Sequence, residues 1–330
     1  MVRLSYMPQP YAGVRVTVLG ASGFIGRWVS RALCAQGAQL CLVVRDARAA
    51  AAVFAQFEIE GDIVELDLVN LEAVSATLGR LRSSITFNMA GYGVDHAEQD
   101  ELLAVRINGQ LVGALCEALA DLRDPRWPGQ DLVHVGSALE YGALTGDLNE
   151  AAIPRPTTMY GRSKLAGSTE LVNCCQARGL RGLVARLFTV YGPGEHATRL
   201  LPSLQAAAVT GNSLRMSAGE QLRDFTYVED VADGLLRLGV ASARPGEIVN
   251  LATGQLTRVR TFAETAAQIL GVAGDRLEFG TIPPRFVEME HSNVSLERLR
   301  QLTGWAPCTS IQEGVRRTQE FNRRVSWAGR

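Results

Sequence analysis

Tyr160 and Lys164 stand four residues apart in Tyr160-Gly161-Arg162-Ser163-Lys164, and Ser137 lies upstream in Val135-Gly136-Ser137. A helical reading puts the tyrosine and the lysine on one face. A cation beside a phenol favours the phenolate, so a group of ordinary pKa ~10 can exchange protons near neutral pH. A serine hydroxyl can hold the same substrate oxygen. Such a trio moves a proton between a carbinol and a carbonyl while a hydride moves elsewhere. The Tyr-x-x-x-Lys spacing alone is common by chance. It becomes specific here because a glycine-rich turn precedes it.

The elements that must position these side chains can be read from the pattern. Val14 to Leu19 is a short apolar run with β-branched residues, which predicts a buried parallel strand. It ends at Gly20-Ala21-Ser22-Gly23-Phe24-Ile25-Gly26, and a helical pattern follows through Gln36. Glycines at this spacing allow a tight turn, close approach of backbone N–H groups to a pyrophosphate, and close helix packing. The helix N-terminus then offers partial positive charge to the anion. Strand and helix patterns alternate from Val14 to about Phe188, with strands predicted at 14–19, 39–44, 62–66, 84–88, 131–136 and 182–187. Alternation of this kind predicts an α/β fold, a doubly wound parallel sheet with helices on both faces. Ligands of open α/β sheets bind beyond the strand carboxyl ends. Gly20, Val44, Ala90, Ser137 and Phe188 all fall at such ends, so the glycine turn and the tyrosine are expected to form one site.

These residues resemble the short-chain dehydrogenase/reductase superfamily, and within it the extended, nucleotide-sugar-modifying branch. The resemblance runs from about Val14 to Asn322. Besides Gly20-x-x-Gly23-x-x-Gly26 it rests on Leu66-Asp67-Leu68, on Asn88-Met89-Ala90-Gly91 after a strand, and on Asn108 before a helix. Further on, Arg186-Leu187-Phe188-Thr189-Val190-Tyr191-Gly192-Pro193-Gly194, Arg223-Asp224-Phe225-Thr226-Tyr227-Val228-Glu229-Asp230 and Leu302-Thr303-Gly304-Trp305 fit the nucleotide-sugar branch. The resemblance implies a Rossmann-type dinucleotide-binding domain over 14–190 and about 241–254. After Tyr191 the alternation loosens, and prolines and glycines punctuate shorter elements. This predicts a smaller, discontinuous α/β substrate-binding domain over 191–240 and 255–322, with 1–13 a flexible N-terminal extension. The resemblance also implies that Ser137, Tyr160 and Lys164 are catalytic, with Lys164 holding the nicotinamide ribose and Ser137 orienting the substrate oxygen. Gly20, Ser22, Gly23, Phe24, Ile25, Gly26, Asp67, Leu68, Ala90, Gly91 and Asn108 would line the dinucleotide together with Tyr160 and Lys164. Arg223 and Arg285 would grip a substrate diphosphate by paired donors. Thr189, Glu195, His196 and Arg199 would face the sugar or base. Two helices, about 99–121 and 159–178, form a four-helix homodimer interface in such relatives.

The second strand ends Val43-Val44-Arg45-Asp46. A carboxylate at this strand end would bind both ribose hydroxyls and repel a 2′-phosphate, selecting NAD. Val44 occupies the place where NAD-using relatives carry aspartate, and Arg45 follows, with Arg48 nearby. An arginine here can make charge-assisted bonds to a 2′-phosphate, so NADP(H) is favoured. NAD(H) stays open, because a small shift would aim Asp46 at the ribose. The related 4,6-dehydratases carry Asp-Glu directly after the catalytic hydroxyl residue. Here Ala138 and Leu139 take those places, and Glu140 falls one residue late. Adjacent strand residues point to opposite faces, so Glu140 is not expected to substitute, and dehydration is disfavoured. The expected reaction is NADPH-dependent reduction of a nucleotide-diphosphate 4-keto-6-deoxyhexose. An NAD-dependent 4-epimerase is the alternative, and a non-catalytic dinucleotide sensor is disfavoured by the intact trio.

Bulk properties narrow the class. The chain has 330 residues, 20% charged, with a formal net charge of −1. Near-neutral charge gives no footprint for nucleic acid or an anionic membrane. No apolar run approaches the ~20 residues of a membrane span, and residues 1–13 lack a signal-peptide core. Six cysteines without Cys-x-x-Cys spacing read as reduced thiols, consistent with a cytoplasmic enzyme. The four histidines are scattered: His134 reads as core, His96 and His291 as surface, and His196 alone lies in a candidate site. No metal site is expected.

Overall fold

The computed structural model describes residues 9–95, 97–144, 146–283 and 292–328. These divide into two compact units. The first runs through Val135 and takes in Ala166–Val184 and Leu235–Glu247. The second holds Gly136–Leu165, Ala185–Gly234 and the chain from Ile248 onward. This division gives residues 136–165, 185–190 and 248–254 to the second unit, whereas the sequence reading grouped them with the dinucleotide-binding domain. It gives 235–240 to the first unit, whereas the reading grouped them with the substrate-binding domain.

The first unit is built on alternating β1 (Arg15–Leu19), α1 (Phe24–Ala35), β2 (Gln39–Val44), α2 (Ala47–Phe57), β3 (Asp62–Glu65), α3 (Leu71–Leu81) and β4 (Ile85–Asn88). Then follow α4 (Glu101–Ala104), a π-helical turn (Val105–Gln110), α5 (Leu111–Ala120) and β5 (Leu132–Ser137). With β7 (Gly182–Leu187) and β11 (Glu247–Leu251), the strands make a seven-stranded sheet in the order β11-β7-β5-β4-β1-β2-β3. The pairs β1–β2, β1–β4, β2–β3 and β4–β5 are all parallel. The order reverses at β1, where Leu19 meets both Val43 and Asn88. This is the Rossmann-type doubly wound sheet that the alternation predicts. Parallel strands covered on both faces have no solvent side, and Val16, Val18, Leu42, Ile85 and Phe87 are fully buried.

One expectation needs correction here. Tyr11 falls within the segment read as a flexible extension, yet it is fully buried. Its hydroxyl donates to the Leu236 carbonyl at 2.7 Å, and its ring packs 5.6 Å from that of Trp127. An aromatic ring with a satisfied hydroxyl anchors chain in a core. The helical stretch 101–120 carries Glu101, Arg106, Asn108, Gln110 and Glu117 among its apolar residues, so it is not an unbroken apolar run. As one helix it is long and apolar enough to cross a membrane, by length and composition only. Within this unit it is a core helix: Leu111, Val112, Leu115 and Cys116 are fully buried.

In the second unit β6 (Asp147–Leu148) pairs with β14 (Asn293–Val294). Strand β8 (Thr189–Tyr191) lies parallel to β10 (Leu222–Tyr227), which pairs antiparallel with β12 (Leu256–Arg258). Strand β9 (Leu214–Met216) pairs with β13 (Leu277–Phe279). Helices α7 (Leu200–Thr210), α8 (Val228–Val240), α9 (Val259–Leu270), α10 (Glu297–Thr303) and α11 (Ile311–Ala328) complete the chain. Helix α6 (Met159–Arg178) begins in the second unit and continues, from Ala166, in the first. Aromatic packing holds the centre of the second unit, with Phe225 stacked on Phe262 at 4.1 Å and Tyr191 edge-on to Phe262 at 5.2 Å.

Candidate active site

The glycine turn is shaped by what its backbone must approach. Gly20 has φ +71°, and a β-carbon there would lie 3.0 Å from the Ala90 nitrogen. A β-carbon on Gly26 would collide with the Gly20 carbonyl. Neither position tolerates a side chain without moving backbone, so β1, α1 and the loop after β4 are drawn together. Gly23 is the N-cap of α1 and no side chain caps that helix. Arg27 holds the turn from the far side, donating to the carbonyls of Ser22 at 2.8 Å and Gly23 at 3.1 Å. The first-turn N–H groups of α1 are therefore left for an anion, and the cradle fits a pyrophosphate. Ser22, Phe24 and Ile25 belong to this same turn.

The loop after β4 is fixed by two amides. Asn88 Oδ1 accepts the Ala90 N–H at 3.2 Å, and Asn88 Nδ2 meets His134 Nδ1 at 3.1 Å. His134 is thus the core residue expected, and it steadies Ala90 and Gly91. Asn108 lies within the helical run, in its π-helical turn, rather than before a helix. It is fully buried, accepting the Tyr92 N–H at 3.0 Å and donating to the Tyr92 carbonyl at 2.7 Å. A β-carbon on Gly167 would strike the Asn108 carbonyl. The small residues of α6 thus serve close packing within this chain.

At the end of β2, Arg45 is exposed. Asp46 is the N-cap of α2, its Oδ1 accepting the Ala49 N–H at 2.9 Å. That engagement turns the carboxylate toward the helix. Beyond β3, the carboxylate of Asp67 accepts the Val69 N–H at 3.0 Å, which bends the chain past Leu68.

The proton-transfer trio lies entirely in the second unit. Ser137 ends β5, and the three residues after it form a 3₁₀ turn. Ser137 Oγ accepts the Leu139 N–H at 3.2 Å, which leaves its own O–H to donate. Thr158 Oγ1 caps the start of α6 by accepting the Gly161 N–H at 2.9 Å. A β-carbon on Gly161 would collide with the Leu139 carbonyl. The glycine between Tyr160 and Lys164 is therefore what lets the first turn of α6 press against the loop that carries Ser137. Tyr160 is half-buried. Lys164 is 2% exposed, and burial pulls its ammonium down to about 8, opposed by the charge of Glu140. A lysine so placed is cationic at neutral pH and close to losing its proton.

Glu140 itself corrects the sequence argument. Face alternation does not apply to it, because the strand has ended and the 3₁₀ turn folds its carboxylate back. Oε1 accepts the Ser137 N–H at 2.7 Å, and Oε2 accepts from Arg186 Nε at 2.9 Å. Both side chains are buried. Both carboxylate oxygens of Glu140 are thus engaged within the second unit. One sequence signal was missed altogether. Lys164 is the sole lysine of the chain, and every other cationic side chain among the 33 Lys and Arg is an arginine. An ammonium at this single position is consistent with chemistry that a guanidinium does not supply.

The residues assigned to substrate lie in several places. Thr189 opens β8, paired with Phe225. Arg223 sits on β10, half-buried, with Nη1 donating to its neighbour's carbonyl, that of Leu222, at 2.7 Å. The next residue, Asp224, is 1% exposed and accepts from the Thr253 and Gly254 N–H groups at 2.9 and 2.7 Å. Pinning Asp224 inward turns Arg223 to the other face of the strand. After the Gly192-Pro193-Gly194 turn, Glu195 pairs with Arg199 at 3.4 Å, their side chains 6% and 39% exposed. Burial pushes the Glu195 carboxyl up to about 7, and its Oε2 has no hydrogen-bond partner among the described residues. His196 is exposed and paired with Thr198 Oγ1 at 3.0 Å. Arg285, His96 and His291 lie outside the described residues.

Comparison with known proteins agrees with this architecture. The chain is similar to the dTDP-6-deoxy-L-talose 4-dehydrogenase (NAD(P)(+)) of Kitasatospora kifunensis, with 32% identity over 315 residues, 92% of this chain and 94% of that protein. It is 28% identical to the UDP-glucose 4-epimerase of Mycolicibacterium smegmatis over 329 residues, 95% of this chain and all of that protein. Among solved structures it is similar to MoeE5 in complex with UDP-glucuronic acid and NAD. The TM-score is 0.79 and the identity 25%, covering 94% of this chain and 99% of the other. Residues 16–252 match the NAD dependent epimerase/dehydratase family, well over half the chain. The protein therefore belongs to that family of NAD(P)-dependent nucleotide-sugar enzymes.

Proposed function

We propose that this enzyme reduces the 4-keto group of a nucleotide-diphosphate 6-deoxyhexose, using NADPH. The observation that carries the reading is the strand end at β2, where Arg45 is exposed while Asp46 is committed to capping α2. A guanidinium there favours a 2′-phosphate, and a carboxylate turned into its own helix does not oppose it. The similarity to a 4-dehydrogenase of a 6-deoxyhexose, whose reaction run backwards is a 4-ketoreduction, supports the same choice.

The dinucleotide, when bound, supplies the hydride. Tyr160 gives its phenolic proton to the ketone oxygen, and Ser137 donates its O–H to that same oxygen, holding it in place. Lys164, cationic below about pH 8, holds the nicotinamide ribose and stabilises the phenolate left behind. Gly20, Ser22, Gly23, Phe24, Ile25 and Gly26 hold the pyrophosphate. Asp67 and Leu68 border the adenine, and Ala90, Gly91 and Asn108 shape the next segment of the dinucleotide site. Arg223 and Arg285 take the substrate diphosphate. Thr189, Glu195, His196 and Arg199 face the sugar or its base. A homodimer through the helices at about 99–121 and 159–178, and a cytoplasmic location, belong to the same reading.

A second reading, NAD-dependent 4-epimerisation, uses the same trio and is favoured by the likeness to the UDP-glucose 4-epimerase. Mixing the protein with NADPH and a dTDP-4-keto-6-deoxyhexose separates the two. Stoichiometric loss of NADPH absorbance with formation of a 6-deoxyhexose is expected. Absence of NADPH oxidation, together with interconversion of UDP-glucose and UDP-galactose on NAD alone, would replace the reductase by the epimerase.

A further inference from the structure

We infer that Glu65 is a specificity-determining residue of the dinucleotide site, an anion that opposes the 2′-phosphate and keeps the preference for NADPH over NADH small. The inference rests on the dinucleotide site as read above and concerns a residue outside both the glycine turn and the proton-transfer trio. Glu65 closes β3, and the parallel β2–β3 register sets it opposite Val44. The Leu66 N–H continues that pairing, donating to the Val44 carbonyl at 2.8 Å. Arg45 directly follows Val44, so the carboxylate and the guanidinium leave neighbouring strand ends. The Glu65 side chain then reaches past the end of β2, where its Oε2 accepts the Ala47 N–H at 2.8 Å. Its charge is thereby fixed on the connection from β2 to α2, the segment that carries Arg45.

Two carboxylates already serve the first turn of α2, Glu65 at Ala47 and Asp46 at Ala49. A helix N-terminus attracts anions through such N–H groups, and here those two donors are occupied before a phosphate arrives. A 2′-phosphate then relies on the guanidinium groups of Arg45 and Arg48, both of them exposed. A phosphate monoester carries nearly two negative charges at neutral pH, and it enters a corner where two carboxylates balance the two arginines. Asp46 is tied back by its own turn. Glu65 comes from the next strand, at the carboxyl end where ligands of such sheets bind. Capping α2 requires of Glu65 only an oxygen that accepts from Ala47. Glutamine supplies that oxygen without the charge, so the cap and the electrostatic part can be separated.

The substitution Glu65→Gln makes that separation at an exposed position. Full-length protein freed of bound nucleotide is titrated calorimetrically with NADPH and NADH. It is also titrated with 2′,5′-ADP and 5′-AMP, a pair that differs only in the 2′-phosphate and needs neither substrate nor turnover. Glu65→Gln should tighten NADPH and 2′,5′-ADP about three- to tenfold, the size expected of one exposed charge acting on a phosphate. NADH and 5′-AMP should change by less than about twofold. Glu65→Asp, which keeps the charge, should stay near the wild type, and the gain in Glu65→Gln should shrink as salt is raised. The deciding quantity is the ratio of the NADH to the NADPH dissociation constant. A ratio equal in wild type and Glu65→Gln, whether both affinities move or neither does, overturns the proposal, and so does a shift toward NADH. A wild type that binds NADH more tightly than NADPH would refute the NADPH assignment, while the change in that ratio would still decide the part played by Glu65.

Discussion

Replacing Glu195 by glutamine should make the protein more stable at alkaline pH and leave it nearly unchanged in acid. The carboxyl titrates at about 7 in the folded chain against 4.5 as its ordinary value, because burial disfavours the charge more than Arg199 and the turn backbone favour it. A native carboxyl that binds its proton more tightly than the unfolded one stabilises the fold in acid. That contribution is complete below about pH 4.5 and is lost as pH rises through about 7. The gap of about 2.5 units corresponds to about 3 kcal/mol at its fullest, each unit being worth ~1.4 kcal/mol. Glutamine has the same shape and no charge to bury. It gives up the ion pair to Arg199, whose guanidinium at 39% exposure retains water as a partner. Thermal melts of both proteins at about pH 5, 6, 7 and 8 and constant ionic strength would show curves that diverge upward. A difference on the order of 5 °C is expected at the alkaline end. Parallel curves, or a variant that loses stability as pH rises, would refute the assignment of a buried, proton-binding carboxyl to the turn after β8.

Further outcomes follow from the same geometry. Tyr160→Phe should retain dinucleotide binding, measured by fluorescence titration, while turnover falls roughly 10²–10⁴-fold as expected for a lost general acid. Arg45→Ala should weaken NADPH binding about tenfold, roughly 1.4 kcal/mol, with NADH affinity unchanged; equal loss for both would remove the 2′-phosphate from its role. Gly26→Ala sets a β-carbon against the Gly20 carbonyl. It should cost about 1–3 kcal/mol of stability and most of the dinucleotide affinity, readable by melting and titration together.

The parts of the molecule that could be read in the sequence are those set by local pattern. β-Branched runs ending in glycine announced β1 and its turn, and a tyrosine and lysine at helical spacing announced the start of α6. What could not be read depends on contacts distant along the chain. Asn108 spends its amide on Tyr92, a pairing invisible without the π-helical turn that aims it. Glu140 was judged by strand alternation, and the 3₁₀ turn made that rule inapplicable. Tyr11 was read as loose chain, whereas Phe87 and Trp127 reach it from distant parts of the sequence. The cap that Asp46 provides to Ala49 could not be read from the strand pattern, because it depends on where α2 begins.

The burial of the only lysine has a practical consequence. Apart from the amino terminus, Nζ of Lys164 is the one primary amine in the chain, and it is shielded in the folded state. An acylating reagent reaches it only through transient opening of the first turn of α6. Opening relieves the burial that lowers its pKa, so the reaction is run at alkaline pH, where the exposed amine sheds its proton. The rate at which one acyl group is added, counted by intact mass, is therefore a clock for that local opening. Any ligand that closes the site will slow the clock, so binding can be screened without knowing the substrate in advance.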